Sequence, residues 1–105
     1  MKLSVLMPVY NEEKDIAQIL DMVAAVPVDK EVIVVDDCSR DGTSGILDAI
    51  RIPDVRIIRH PVNRGKGAAI RTALAAAKGD AVIIQDADQE YDPGDYLALL
   101  TPIQS

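Results

Sequence analysis

Short apolar runs alternate along this chain with longer stretches of helical periodicity, and this alternation limits the available folds more than any other feature. The apolar runs lie at residues 3–7, 31–35, 55–58 and 81–84. The run at 31–35 is rich in β-branched residues and almost continuously apolar, which is typical of a strand covered on both faces. Apolar residues from Ile16 to Val23 recur at i, i+3, i+4 and i+7, as on a helix docked against a sheet. The pattern predicts a three-layer α/β fold with a mainly parallel sheet, flanking helices and right-handed crossovers.

Proline and glycine mark several predicted element boundaries. Pro8 is expected to end the first strand, because proline cannot donate to a sheet ladder. A helix is predicted over 68–78, with Gly79 as its stop. Pro93 is expected in the first turn of a further helix.

Length and charge restrict the class of protein. With 105 residues the chain is expected to form one domain, spanning 1–105. The net charge of -6 opposes a nucleic-acid partner, since such binding requires a cationic face. The single cysteine, Cys38, excludes an intrachain disulfide and a cysteine-based metal cluster. No segment approaches the roughly 18 apolar residues of a membrane span, and no signal peptide is evident, so a cytoplasmic location is expected.

Acidic side chains follow the second and fourth predicted strands. Ligands of parallel α/β sheets bind beyond the carboxyl ends of the strands, and Asp36, Asp37, Asp86 and Asp88 all fall there. Asp86 and Asp88, one residue apart, can share a hard divalent cation that also needs phosphate oxygens, and Mg²⁺ or Mn²⁺ fits that description. The alternative is that these acids only cap the turn and helix that follow.

Several other residues near these strand ends have two interpretations. Asp36 and Asp37 could accept a hydrogen bond from a nucleobase or ribose, or cap the turn through Gly42. Tyr10 could stack on a base or simply fill an apolar space. His60 lies in a loop without a partner at useful spacing, so it is expected to be a surface residue with no functional role.

A glycine-rich segment resembles part of a phosphate cradle. Gly65 and Gly67 flank Lys66, and glycine lets backbone N–H groups approach phosphate oxygens while Lys66 and Arg64 add positive charge. The segment is not a Walker A motif, because no Gly-Lys pair is followed by Ser or Thr. The dinucleotide-binding fingerprint fails at Ile70.

Four ordered motifs carry a resemblance to a known family. They are residues 5–12 (VLMPVYNE), 34–43 (VVDDCSRDGT), 63–68 (NRGKGA) and 86–93 (DADQEYDP). In order and spacing they resemble the N-terminal half of family 2 glycosyltransferases, and above all the dolichyl- or polyprenyl-phosphate sugar transferases. The resemblance implies the Rossmann-like, nucleotide-binding half of a GT-A fold. It also implies a UDP- or GDP-linked sugar donor, transfer with inversion, and a polyprenyl phosphate or saccharide acceptor.

The resemblance also implies roles for residues at matching positions. The nucleoside would be held by Pro8, Tyr10, Glu12, Val35 and Asp37. The metal and diphosphate site would comprise Asp86, Ala87 and Asp88, with Glu90 as a further metal ligand. Asp88 would have the catalytic role of holding the metal at the leaving group, and Lys66 and Arg64 match a phosphate-side loop.

Two substitutions and the chain length depart from the family pattern. Cys38 stands where Gly or Asn is usual, which implies strain if that position has a positive φ. Gln89 replaces a frequent Leu beside the metal site. The family's acceptor-binding half and general base follow the matched region. The 105-residue chain is therefore expected to bind the donor without efficient turnover.

Two other classes remain as alternatives. A non-catalytic nucleotide-binding or assembly module could form a homo-oligomer through an exposed sheet edge. A phosphoacceptor receiver domain also has an acidic pair after a strand and binds Mg²⁺. However, a receiver begins with the strand that precedes Asp36, and it needs a lysine on a further strand that nothing after Asp86 provides.

Overall fold

The computed structural model describes residues 1–87, which form a parallel four-stranded sheet with helices on both faces. The strands are β1 (Leu3–Val9), β2 (Lys30–Asp36), β3 (Val55–Arg59) and β4 (Ala81–Ile84). The helices are α1 (Ile16–Ala25), α2 (Thr43–Asp48) and α3 (Lys66–Ala76). The architecture confirms the predicted three-layer α/β class. The helix predicted at Pro93 lies outside the described residues.

The two central strands are the most apolar segments of the chain, and the fold buries them on both faces. Every residue of β1 is buried, as are six of the seven residues of β2. All strand pairs are parallel, with Val5 opposite Val32 and Leu3 opposite Ala81. Continuous apolar sequence is therefore explained by helices covering both sides of the sheet.

Pro8 does not end the first strand, contrary to the prediction. It lies inside β1, opposite Val35 of β2. The neighbouring ladder bonds run from Gln85 N to Leu6 O on one side, and from Asp37 N to Val9 O on the other. Because alternate residues face alternate neighbours, the nitrogen of Pro8 faces the β4 side. The last β1–β4 pair is Leu6 with Ile84, so the missing N–H breaks no bond to β2.

The core consists of two clusters, one on each face of the sheet. On one face, α1 and α2 pack through side chains such as Ile19, Leu20 and Leu47 against Val5 and Val34. On the other face the buried side chains of α3 are alanines, and Ile70 is partly buried beside them. The buried cluster on this face consists of Leu6, Ile33, Val35, Ala69 and Ala73. The alanines allow α3 to lie close to the sheet, near the carboxyl ends of β1 and β2.

The strand order β3-β2-β1-β4 creates a reversal of direction in the middle of the sheet. From β1 the chain proceeds outward through β2 to β3, and then returns past β1 to form β4 on the other side. The loops after β1 and β4 therefore diverge and leave a crevice at the carboxyl edge. Such a switch point is the usual ligand site of open α/β sheets.

Among residues 1–87, no helix has both the length and the apolar character needed to cross a membrane.

Candidate active site

A cavity of about 570 Å³ lies at this crevice, beyond the carboxyl ends of the strands. Its walls come from the loops after β1, β2, β3 and β4 and from the start of α3. The lining residues are Pro8, Val9, Tyr10, Glu12, Asp37, Asn63, Gly65, Lys66, Ala69, Asp86 and Ala87. The structure thus brings together residues that lie up to 79 positions apart, as Pro8 and Ala87 do. All four motifs singled out in the sequence contribute to one space.

Two of the loops are fastened to each other by side chain to backbone hydrogen bonds. The N–H of Asn11 donates to Ser39 Oγ at 3.0 Å, and the N–H of Glu12 donates to Thr43 Oγ1 at 2.8 Å. In the opposite direction, the N–H of Arg40 donates to Asn11 Oδ1 at 2.8 Å. These bonds hold the loop after β1 against the loop after β2 and so define one wall of the cavity.

The adjacent acids Asp36 and Asp37 have different functions. Asp36 is fully buried and serves the turn: it accepts hydrogen bonds from Ser39 N at 3.0 Å and Ser44 Oγ at 2.6 Å, and pairs with Arg59 at 3.4 Å. Burial acts to raise the pKa of Asp36, but these hydrogen bonds lower it below its ordinary value. The capping interpretation is therefore the one that the structure supports for Asp36, which is not among the residues lining the cavity.

Asp37 lines the cavity and also holds the loop that leads into α3. Its Oδ1 accepts the N–H of Arg64 at 2.9 Å, and its Oδ2 accepts the N–H of Gly65 at 2.8 Å. Gly65 has a φ of 95°, a conformation that glycine adopts without steric cost. Its carbonyl accepts the N–H of Ala69 in the first turn of α3. Asp37 thereby fixes the position at which the N-terminus of α3 meets the cavity.

His60 is not a surface residue, so that prediction was wrong. It follows β3 directly, and its N–H continues the ladder to Asp36 O at 2.9 Å. Its side chain lies under α3 and is 4% exposed. Nδ1 lies 2.8 Å from Asp37 Oδ1, and Nε2 lies 2.7 Å from Thr72 Oγ1. The sequence could not reveal these partners, because they are 23 and 12 positions away and neither spacing forms a local motif.

The predicted nucleoside residues divide into two groups. Pro8, Tyr10, Glu12 and Asp37 line the cavity, and Tyr10 is 42% exposed, so it does not fill a space in the core. Val35 does not line the cavity. It is fully buried in the cluster beneath α3, and this position does not favour contact between its side chain and a nucleoside.

Three of the predicted metal and phosphate residues, Lys66, Asp86 and Ala87, lie at the β4 side of the cavity. Lys66, at the start of α3, pairs its Nζ with Asp86 Oδ1 at 2.5 Å, and Ala87 is buried beside them. The side chain of Asp86 is 25% exposed. Asp88 and Glu90 lie outside the described residues. Arg64 is exposed, and its backbone rather than its side chain contacts Asp37.

The donor chemistry of Asp86 suits a hard cation. Its carboxylate offers oxygen ligands at the edge of the cavity, and it already attracts the ammonium group of Lys66. Within residues 1–87 no group of three or more His, Cys, Asp or Glu side chains forms a candidate metal cluster. The predicted cation ligands Asp88 and Glu90 would therefore have to complete the site.

Asn63 lines the cavity although no role was predicted for it. Its Nδ2 donates to Asp37 O at 3.2 Å, so the side chain ties the loop after β3 to the end of β2. Asn63 is the first residue of the motif at 63–68, and its place in that motif was the one available signal.

With this geometry established, comparison with known proteins identifies the family. The family model for glycosyl transferase family 2 matches residues 4–105. The dolichyl-phosphate beta-glucosyltransferase ALG5A of Trichomonas vaginalis is 33% identical over 114 residues, covering 98% of this chain and 35% of that protein.

Solved structures agree with the sequence match. S. aureus TarS in complex with UDP-GlcNAc superposes with a TM-score of 0.82 at 32% identity, covering 97% of this chain and 30% of that chain. The mannosyltransferase PcManGT from Pyrobaculum calidifontis, in complex with GDP-Man and Mn²⁺, gives a TM-score of 0.80 at 33% identity, covering 91% and 30%. The chain spans about a third of the length of these relatives. The neighbours confirm the predicted Rossmann-like GT-A fold, and the chain belongs to glycosyl transferase family 2.

Proposed function

We propose that this chain is the donor-binding part of a glycosyltransferase that binds a nucleotide-diphosphate sugar with the help of a divalent cation. The observation that carries the proposal is the cavity at the switch point of the sheet, where Asp37, Lys66 and Asp86 line one space. The donor would be UDP- or GDP-linked. Relatives in complex with UDP-GlcNAc and with GDP-Man and Mn²⁺ support this choice.

The two ends of the cavity suit the two ends of such a donor. Tyr10 offers an exposed aromatic ring, and Asp37 offers carboxylate oxygens that accept N–H or O–H donors of a nucleoside. At the other end Lys66 and the N-terminus of α3 provide positive charge for a diphosphate. The nucleoside would therefore lie over the loops after β1 and β2, with the diphosphate toward β4.

Sugar transfer places negative charge on the departing diphosphate oxygen as the sugar carbon becomes oxocarbenium-like. A divalent cation held by Asp86, Asp88 and Glu90 would supply Lewis-acid stabilisation of that charge. Lys66 would stabilise the same charge, because its ammonium group lies beside Asp86 at this end of the cavity.

The later steps of the reaction rest on the family resemblance. We propose transfer with inversion to a polyprenyl phosphate or saccharide acceptor, in keeping with a relative that is a dolichyl-phosphate glucosyltransferase. The general base is expected to come from the family's acceptor-binding half. The residues of this chain should therefore bind the donor, and turnover should require the base of that half.

Calorimetric titration tests the donor and the cation together. UDP, GDP, UDP-GlcNAc and GDP-mannose are titrated into the chain with and without Mn²⁺, and the series is repeated on Asp86→Asn and Asp88→Ala. At least one nucleotide should bind, and its affinity should rise with Mn²⁺. Each substitution should lower the Mn²⁺-dependent affinity by about tenfold or more.

Asp21→Asn is the matched control, because it removes one carboxylate from the exposed face of α1 and changes the net charge equally. It should leave nucleotide affinity unchanged. Nucleotide binding that is indifferent to Mn²⁺ and to both site substitutions would rule out the cation-assisted mechanism. Absence of binding by all four compounds would rule out the donor site itself.

A further inference from the structure

His60 forms a buried polar connection behind the nucleotide cavity. It joins the loop after β3 to the end of β2 through Asp37 and to the middle of α3 through Thr72. The side chains of His60 and Asp37 are only 5% and 4% exposed. A buried pair of this kind must be hydrogen-bonded to avoid a desolvation cost, and both nitrogens of the ring have a partner.

The hydrogen bonds of Asp37 determine which ring nitrogen carries a proton. The carboxylate accepts from Arg64 N and Gly65 N as well as from His60. Burial acts to raise the pKa of Asp37, but the hydrogen bonds from His60 and these two backbone groups lower it below its ordinary value. An ionised carboxylate only accepts, so Nδ1 of His60 must carry the hydrogen and donate it.

The imidazole thus acts on the cavity through Asp37. Oδ1 of Asp37 is shared by His60 and the N–H of Arg64, and Oδ2 holds the N–H of Gly65. Without the donor from His60, the carboxylate would keep, among residues 1–87, only its two backbone donors while remaining buried. It could then rotate toward the cavity to regain a partner from water, and the loop that begins α3 would lose its anchor.

We propose that His60 is a positioning residue of the nucleotide cavity: its Nδ1–H fixes the Asp37 carboxylate in the orientation that anchors Arg64 and Gly65. The inference rests on the proposed function, because the consequence is a cavity preorganised for a nucleotide. His60 itself is not among the residues lining the cavity. It acts on the ligand only through Asp37 and the loop.

Three substitutions distinguish the contact of the His60 ring with Asp37 from its contact with Thr72. His60→Asn places an amide nitrogen near the position of Nδ1 and can still donate to Asp37. His60→Gln extends toward the position of Nε2 and keeps the contact with Thr72 instead. Thr72→Val removes the partner of Nε2 and leaves Nδ1 untouched. Urea denaturation of each variant first establishes that it is folded at the titration temperature.

The affinities of the variants for UDP and GDP, measured by titration, should then show whether His60 acts by positioning Asp37 or only by packing. His60→Gln should weaken nucleotide binding by about tenfold, the effect expected for loss of one hydrogen bond to a charged group. His60→Asn should restore most of that loss, and Thr72→Val should bind within about threefold of the original chain. Equal affinities for His60→Gln and the original chain would overturn the proposal, as would equal losses in His60→Gln and His60→Asn.

Two NMR measurements test the inference independently of nucleotide binding. In the unsubstituted chain, the imidazole ¹⁵N shifts should identify a protonated Nδ1, and a bare Nδ1 would overturn the proposal even if every variant failed to fold. The amide resonances of Arg64 and Gly65 should move strongly in His60→Gln and little in His60→Asn. If no nucleotide binds, the proposed function fails while these shifts still decide the role of His60.

Discussion

Cys38 adopts a left-handed backbone conformation, with a φ of 63°. Asn11, in the loop after β1 that is hydrogen-bonded to the loop of Cys38, has a φ of 53°. Asn tolerates this region, whereas a cysteine side chain does not gain any local hydrogen bond that compensates for it. Its Sγ makes a long contact, 3.7 Å, to Pro61 O. Strain at Cys38 was expected on the condition of a positive φ, and the structure meets that condition.

Replacing Cys38 by glycine should stabilise the chain. The left-handed conformation costs about 1–2 kcal/mol for a residue with a Cβ, and glycine would remove this cost. Glycine also loses more conformational entropy on folding, which offsets about 0.5–1 kcal/mol of the stabilisation. Cys38→Gly should therefore raise the free energy of unfolding by about 0.5–1 kcal/mol in urea denaturation. Cys38→Ala is the control, because it removes the thiol and keeps the Cβ. A gain of equal size in Cys38→Ala would contradict an origin in the backbone.

At the scale of elements, a second polar network joins the strands at the edge opposite the cavity. Glu31 of β2 is buried and accepts hydrogen bonds from Ser4 Oγ of β1 at 2.6 Å and from Lys78 N at 2.5 Å. Ser4 Oγ in turn accepts the N–H of Gly79 at 2.8 Å. The network fixes the turn between α3 and β4, and thereby the course of β4 toward Asp86.

Gly79→Ala should disturb this turn. A Cβ at Gly79 would lie 2.5 Å from Ser4 Oγ and 2.7 Å from the backbone carbonyl of Lys2. Backbone cannot move aside cheaply, so we expect a loss of about 1–3 kcal/mol in the free energy of unfolding. Urea denaturation measures the change.

Gly45→Ala is the matched control for that substitution. Gly45 lies inside α2, and apart from its chain neighbours and the backbone of that helix, a Cβ there would meet no atom of residues 1–87 within 4 Å. The same change should therefore stabilise the chain by about 0.5–1 kcal/mol, because alanine favours a helix interior. Effects of the same sign at the two glycines would show that the contacts at Gly79 are not those described above.

At the scale of the whole molecule, stability is connected to pH by four acids within residues 1–87 whose pKa values are lowered. They are Glu31, Asp36, Asp37 and Asp41. Burial acts to raise each pKa, but hydrogen bonds from nearby side chains and backbone N–H groups outweigh it. All four therefore hold their protons less tightly in the folded than in the unfolded chain.

The sign of the pH dependence follows from these shifts. Since the folded pKa values lie below the unfolded values of about 3.9 for Asp and 4.3 for Glu, the stabilisation is fully present above that range. It is lost as the pH falls through the folded pKa values, where the unfolded chain binds more protons. The free energy of unfolding, measured in urea between pH 6 and pH 2, should decrease steadily below about pH 4.

Asp37→Asn tests the contribution of one of these acids. The substitution should lower the free energy of unfolding most above pH 5, and the difference from the original chain should shrink toward pH 2. A difference that stays constant or grows as the solution becomes more acidic would contradict the lowered pKa of Asp37.

Much of the molecule could be predicted because the relevant signals lie close together in the chain. Apolar periodicity predicted β4 with its observed bounds and the other elements to within a few residues, and the four motifs indicated the family. These signals are local, since a strand or helix depends mainly on the order of polar and apolar residues within it. The convergence of Asp37, Lys66 and Asp86 could be predicted because parallel strands bring their carboxyl ends to one edge.

The sequence by itself determined the order of strands and helices, the continuous burial of β1 and β2, and the clustering of acids at one edge of the sheet. Only the tertiary structure decided that Asp36 serves a turn while Asp37 holds a loop, that Pro8 lies within a central strand, and that His60 is buried behind the cavity. Neighbouring residues such as Asp36 and Asp37 look alike in sequence. Their roles differ because each hydrogen-bond partner is chosen by contacts across the fold, between residues far apart in the chain.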